Sequence, residues 1–196
     1  MKIIGLDLAG SEKRYTGFCF LNDRMIAKTY VFNTDEEIIK KIEKIRPDVI
    51  AIDAPLALPK GRKSLEQRSD VHLRECDKEL LKMKIKFFPI TLGPMRKLTE
   101  RGIKLKKILE KKGFEIIETY PGAAQDILKI ARKQNGLIRL KTNLERLGIK
   151  GLNNSMNGDE LDAVTCALVG KMYLEENYLA IGDPEEVLMI LPNVEL

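Results

Sequence analysis

Lys2-Ile-Ile-Gly-Leu-Asp-Leu-Ala-Gly-Ser-Glu-Lys-Arg-Tyr-Thr-Gly-Phe-Cys-Phe20 opens the chain, and its reading decides the fold. Ile3, Ile4, Leu6 and Leu8 form a near-continuous apolar run, the pattern of a strand covered on both faces. Asp7 interrupts that run. A carboxylate in a buried strand costs on the order of several kcal/mol unless a cation or hydrogen-bond donors meet it. Ala9-Gly10-Ser11 supplies a turn of small residues, and a second strand returns alongside. The stretch sets one acid at the lip of a sheet, beside a turn with room for a ligand.

The same pattern recurs. Asp48-Val-Ile-Ala-Ile-Asp-Ala-Pro-Leu56 is a second buried strand ending in Asp53, with Pro55 stopping the pairing just beyond. Between the two, Tyr15–Leu21 and Met25–Phe32 predict an antiparallel hairpin joined by Asn22-Asp23. Thr34-Asp-Glu-Glu37 is a capping box. It opens a helix whose apolar stripe is Ile38, Ile39, Ile42 and Ile45, and Pro47 marks its end. A helix between two buried strands implies a parallel crossover, which puts Asp7 and Asp53 side by side. Ligand sites in such sheets form at the carboxyl ends of the strands. Phe114–Pro121 is a third strand of this kind and ends in Glu118.

Residues 57–69 read as a basic loop, with Ser69 capping a helix over 70–84. A basic helix follows at about 95–112, with Leu98, Leu105, Ile108 and Leu109 inward. Further helices are predicted at Gly122–Lys133, 141–148 and Asp159–Leu174, and a hairpin at Tyr178–Ile181 and Val187–Ile190. The expected architecture is one α/β domain over 1–196. Its mixed sheet has about five strands, the first three antiparallel and the rest parallel, flanked by helices. Residues 57–94 form a basic insertion and 178–191 a small C-terminal hairpin.

Composition narrows the function. No apolar run is long enough for a membrane span, and no signal peptide is expected. Cys19, Cys76 and Cys166 are odd in number and lack metal-ligand spacing, which fits reduced cytoplasmic thiols. His72 is the one histidine and lies in a charged stretch. Histidine-based zinc sites and a Ser-His-Asp triad therefore have little support. Richness in Ile, Lys and Glu fits a thermophile. The net charge of +5 conceals an asymmetry: residues 60–112 carry seventeen basic and seven acidic side chains, residues 113–196 eight and thirteen. A basic middle beside an acidic remainder points to an anionic partner held near carboxylates, although a solvated lysine-rich surface carries the same signal.

On the last long helix, Asp159, Asp162, Ala163, Cys166, Ala167 and Gly170 share one face. The small residues allow a close approach to a sheet. Asp159 has a simpler reading as a helix cap; Asp162, one turn in, does not. Asp7, Asp53, Glu118, Asp159 and Asp162 form the candidate catalytic set. Carboxylates converging without histidine or cysteine are the ligands of a hard cation, Mg²⁺ or Mn²⁺, for which Asp7, Asp53, Asp159 and Asp162 are the expected ligands. Such ions orient water and stabilise the leaving oxygen in phosphodiester cleavage. The basic middle would hold the nucleic-acid backbone through Lys60, Arg62, Lys63, Arg68, Arg74, Arg96, Lys97 and Arg101.

The order of these features resembles the ribonuclease H-like superfamily, in its RuvC-type resolvase arrangement. More closely, the chain resembles the DUF429 family, a group of predicted RNase H-like nucleases. Ile4–Ser11, Ile50–Leu56, Arg68–Arg74, Ile117–Pro121, Glu160–Leu168 and Ile181–Glu185 carry the resemblance. It implies that Asp7 matches the first-strand acid, Asp53 the acid of the later central strand and Asp162 the last-helix acid. Asp159 matches a more variable position, and Glu118 has no firm counterpart. Arg68, Asp70 and Arg74 belong to the family's own motif, either meeting a phosphate or forming an internal ion pair. The resemblance also implies a metal-dependent nuclease that forms a homodimer. Two alternatives stand beside it: a nucleic-acid-binding scaffold without cleavage, and an ATP-handling protein of the actin and sugar-kinase type, which shares the Asp7–Gly10 turn.

Overall fold

The structure, a computed structural model, describes residues 1–194. The first turn of chain forms as expected. β1 (Lys2–Asp7) pairs antiparallel with β2 (Thr16–Asn22), and β2 with β3 (Ala27–Phe32). α1 (Asp35–Ile45) starts on the Thr34/Glu37 capping box, with both reciprocal bonds made. It leads into β4 (Val49–Asp53), which lies parallel to β1. The register sets Asp7 directly opposite Asp53. β5 (Ile116–Thr119) continues the parallel half.

The C-terminal hairpin, β6 (Tyr178–Ile181) and β7 (Met189–Pro192), extends this sheet: β7 pairs parallel with β5. The sheet therefore has seven strands, in the order β3-β2-β1-β4-β5-β7-β6, where about five were expected. Met189, Ile190 and Leu191 are buried, so the hairpin cannot stand apart from the core.

Two hydrophobic clusters cover the two faces. On one, Ile4, Leu6, Phe18, Ile50 and Ile52 meet α1 and Leu105 and Leu109 of α3 (Gly93–Lys111). On the other, Ile3, Cys19, Val49 and Ala51 meet α6 (Gly158–Leu174). Every residue of α6 from Leu161 to Gly170 is buried. Its outer side is covered by α4 (Pro121–Ile127) and by Leu140 and Leu144 of α5 (Leu137–Arg146). A helix apolar all round needs such double cover.

Glycines let α6 sit close on the sheet. A Cβ on Gly5 would fall 2.0 Å from the Ala163 carbonyl oxygen, and one on Gly17 2.0 Å from the Asp159 carbonyl oxygen. Both neighbours are backbone and cannot yield locally. Gly5→Ala should therefore destabilise the fold by roughly 1–3 kcal/mol or more. At about 2–4 °C per kcal/mol for a chain of this size, melting should drop by several degrees in calorimetry.

Three helix boundaries differ from expectation. α2 (Glu75–Lys82) starts five residues later than the predicted 70, because Ser69 accepts from the Val71 N–H in a local turn. α5 starts four residues before the expected 141. α4 stops at Ile127, although a helix to Lys133 was expected. Lys129 takes a left-handed conformation (φ 55°), its N–H donates to the Asp126 carbonyl and the Ile130 N–H donates to that of Gln125. That is a Schellman stop built on lysine in place of glycine. A 3-10 turn, Lys133–Asn135, follows it.

A candidate active site at the carboxyl ends of the central strands

β1 and β4 end together, so Asp7 and Asp53 emerge side by side at the sheet centre. α6 arrives over Gly17 with its N-terminus first. Asn157 caps that helix, accepting from the Glu160 N–H, and Glu160 returns the bond to the Asn157 N–H. Asp159 is therefore not the cap. It and Asp162 face the strand-end acids.

One cation stands among them. The Lys133 Nζ lies 3.1 Å from Asp7 Oδ2, 3.2 Å from Asp159 Oδ1 and 2.9 Å from Asp162 Oδ2. The early stop of α4 delivers it, since the turn that follows carries Lys133 back over the start of α6. Gly158 makes room for the lysine stem; a Cβ there would lie 3.0 Å from Lys133 Cδ. Asp162 is also fixed from the side: Gln125 Nε2 donates to Asp162 Oδ1 at 2.7 Å and to Thr165 Oγ1 at 3.1 Å.

The charges do not balance. Asp7, Asp159 and Asp162 share one ammonium, and Asp53 beside Asp7 adds a fourth acid. The Asp7 carboxyl is raised to about 7: burial pushes it up most, Lys133 pulls it down, and Asp162 and Asp159 push it up. Asp53 is held well above the usual carboxylate range, by burial first and then by Asp7 and Asp162. No protein donor reaches the Asp53 carboxylate among the described residues. Burial works against the charge on Lys133, yet Asp7 and Asp162 hold its pKa above the ordinary lysine value.

Among the described residues no three acidic, thiol or imidazole side chains stand close enough to hold a metal ion directly. The Lys133 ammonium sits between Asp7, Asp159 and Asp162.

Glu118 does not join these acids. It is buried at 1% exposure, and both its oxygens accept from Arg74 at 2.7 Å. The Leu56 N–H donates to Glu118 Oε2 at 2.7 Å. β5 lies beside β4 with Glu118 opposite Ile52, so its side chain turns away from Asp53 towards the segment after it. Glu118 thus braces the turn Ala54-Pro55-Leu56 that follows Asp53.

Three arginines assigned to nucleic acid are internal. Arg74 is 1% exposed and pairs with Glu118 and Asp77. Arg62 donates to the carbonyls of Ser64, Leu65, Gln67 and Val71 and ties the 62–71 loop together. Arg101 pairs with Asp35 and donates to the Ala9 and Asn33 carbonyls. Guanidinium groups suit this work because one planar fork satisfies several acceptors. Arg96 donates to the Leu65 carbonyl, and Lys60 pairs with Asp183 and Glu185. Lys63, Arg68 and Lys97 are exposed. His72 is exposed as well. The residues that sequence reasoning missed here are Lys133 and Gln125. Neither lies at a strand end or in a motif.

No known family profile matches the chain, and no curated protein matches it. Solved structures share its fold. RuvC of T. thermophilus in complex with Holliday junction substrate superposes with a TM-score of 0.55 at 13% identity, covering 90% of this chain and 96% of that one. A second Thermus thermophilus RuvC structure gives a TM-score of 0.50, also at 13% identity and with the same coverage. The fold is thus the RNase H-like arrangement, as expected, with a longer sheet.

Proposed function

We propose that this chain is a divalent-metal-dependent nuclease on the RNase H-like fold, of the DUF429 type, acting on nucleic-acid phosphodiester bonds in the cytoplasm. One observation carries the reading: carboxylates from β1 and α6 converge on a single cation seat at the carboxyl edge of the sheet, with the β4 acid Asp53 in register beside Asp7.

The donor set fits Mg²⁺ or Mn²⁺. All four ligands are hard carboxylate oxygens. The raised pKa values of Asp7 and Asp53 mark a shortage of positive charge that a divalent ion would remove. Asp7, Asp53 and Asp162 would hold it, with Asp159 at the rim, once Lys133 swings out and the side chains draw together. When bound, the ion supplies Lewis-acid polarisation of the phosphate and lowers the pKa of water. The chain does the rest. Gln125 orients Asp162, and the Glu118–Arg74 pair braces the turn after Asp53. Lys133, 32% exposed on its turn, is positioned to swing from the carboxylates to a phosphate oxygen. Arg14 and Lys97 border the approach.

A second reading, a binding scaffold that does not cut, is favoured by Lys133 lying in the cation seat. Labelled single-stranded, duplex and junction oligonucleotides separate the two. Cleavage is expected with Mn²⁺ or Mg²⁺ and none with a chelator. Salt-sensitive binding without cleavage under either ion would leave the scaffold.

A further inference from the structure

The carboxylate cluster stands between two hollows. One, about 680 Å³, runs past the turn after β1 and is bordered by Asp7, Arg14, Lys97 and Asp159. The other, about 290 Å³, opens beside Asp53 and Asp162 and is walled by Phe87, Phe88 and Tyr120. Phe88, Met95, Leu98 and Lys133 border both and form the divide.

The two differ in chemistry. The first is wide and carries cations, which suits a sugar-phosphate strand. The second is small and aromatic. Its volume lies near the lower end of small-molecule pockets, about 300–1,000 Å³, which is room for a planar ring system. Its walls are preset. The Tyr120 hydroxyl donates to the Lys86 carbonyl at 2.8 Å and accepts from Arg132 Nη1 at 3.2 Å. A Cβ on Gly122 would fall 2.9 Å from both the Tyr120 ring and the Arg132 guanidinium, so glycine leaves this stack its space. Phe88 is 68% exposed at the mouth, an apolar ring turned to water. Arg74, which also lines the hollow, is buried with no acceptor for its Nε–H among the described residues.

A strand lying in the first hollow, with a phosphate at the carboxylates, brings the attached base to the divide. We propose that the second hollow receives that base, unpaired and stacked against Phe88 and Tyr120. The substrate is then a nucleic acid with an unpaired or extrudable nucleotide beside the bond to be cut. This rests on the nuclease reading and gives it a substrate class. Aromatic stacking serves any base, so the selection is for an unpaired base and not for its identity.

The test uses oligonucleotides carrying 2-aminopurine in a single strand, in a one-nucleotide bulge and in a full duplex, titrated with the whole protein in a chelator to prevent cleavage. The fluorescence of the single-stranded and bulged probes should change as the base stacks, and both should bind about tenfold or more tighter than the duplex. Phe88→Ala should abolish that preference with its melting temperature unchanged, since the ring is exposed, and Phe88→Tyr should keep it. Equal affinity for all three probes, with Phe88→Ala indistinguishable from wild type, overturns the base pocket and leaves the nuclease reading standing. Failure to bind any probe also overturns the base pocket, while the nuclease reading falls only if cleavage with Mn²⁺ or Mg²⁺ fails as well.

Discussion

An Asp53→Asn variant should melt at or above the wild-type temperature in a chelator, yet lose more than about 100-fold of the metal-dependent cleavage. The stability half follows from charge. Among the described residues no protein donor meets the Asp53 carboxylate, and burial with Asp7 and Asp162 holds its pKa well above the ordinary value. A carboxyl with a raised folded-state pKa stabilises the fold in its protonated form. That contribution is lost as pH rises through the folded pKa. Asparagine is isosteric with the protonated acid and does not ionise. The gap in melting temperature between variant and wild type should therefore widen as pH rises from the ordinary carboxylate range towards the raised folded-state pKa of Asp53. Asp7 gives the wild type a related slope: with its carboxyl near 7, metal-free stability should increase as pH falls from 7 towards the ordinary carboxylate range. The activity half follows from ligation. Groups that merely orient metal ligands cost about 10–100-fold when removed, so a direct ligand should cost more. Retained cleavage in Asp53→Asn would remove Asp53 from the site. A large fall in melting temperature would make it structural.

Arg74→Met should be the most destabilising single change in the basic segment. It leaves Glu118 buried with only the Leu56 N–H and no cation. Breaking a buried pair from one side costs about 3–5 kcal/mol. For a chain of this size that lowers the melting temperature by roughly 6–20 °C. Arg74→Met combined with Glu118→Gln should recover a large part of the loss, because no unpaired buried charge then remains. Denaturant unfolding of both singles and the double closes the cycle. If Arg74→Met were neutral and the double no better than the single, the pair would not be the brace described here. A nucleic-acid contact at Arg74 predicts the opposite pattern: full stability and weakened, less salt-sensitive binding.

The contrast between these two acids shows how far one-dimensional reading reaches. Asp7 and Asp53 were legible because each interrupts an apolar run, and a buried run has few uses for a carboxylate. Asp162 was legible from the small residues that follow it on one face. Glu118 met the same strand-end criterion but turns to Arg74 and not to the other acids. Strand periodicity does not say which partner an inward side chain meets, and its partner, Arg74, lies 44 residues away. The basic segment misled for a related reason. Seventeen cations in 60–112 read as one surface, but Arg62, Arg74 and Arg101 fold inward to satisfy carbonyls and acids. Net charge counts residues without regard to direction.

Local pattern, then, determined the strands, the α1 capping box, the parallel crossover that pairs Asp7 with Asp53 and the acidic start of α6. All of these depend on periods of two to four residues and on caps a few positions apart. What fills the space between the acids was decided only by the folded chain. Lys133 reaches Asp7 across 126 residues, and it does so because α4 stops at a lysine in the left-handed conformation where glycine was the signal to look for. Attraction between one ammonium and three carboxylates acts through space, over about 3 Å, and leaves no periodic trace in the order of residues.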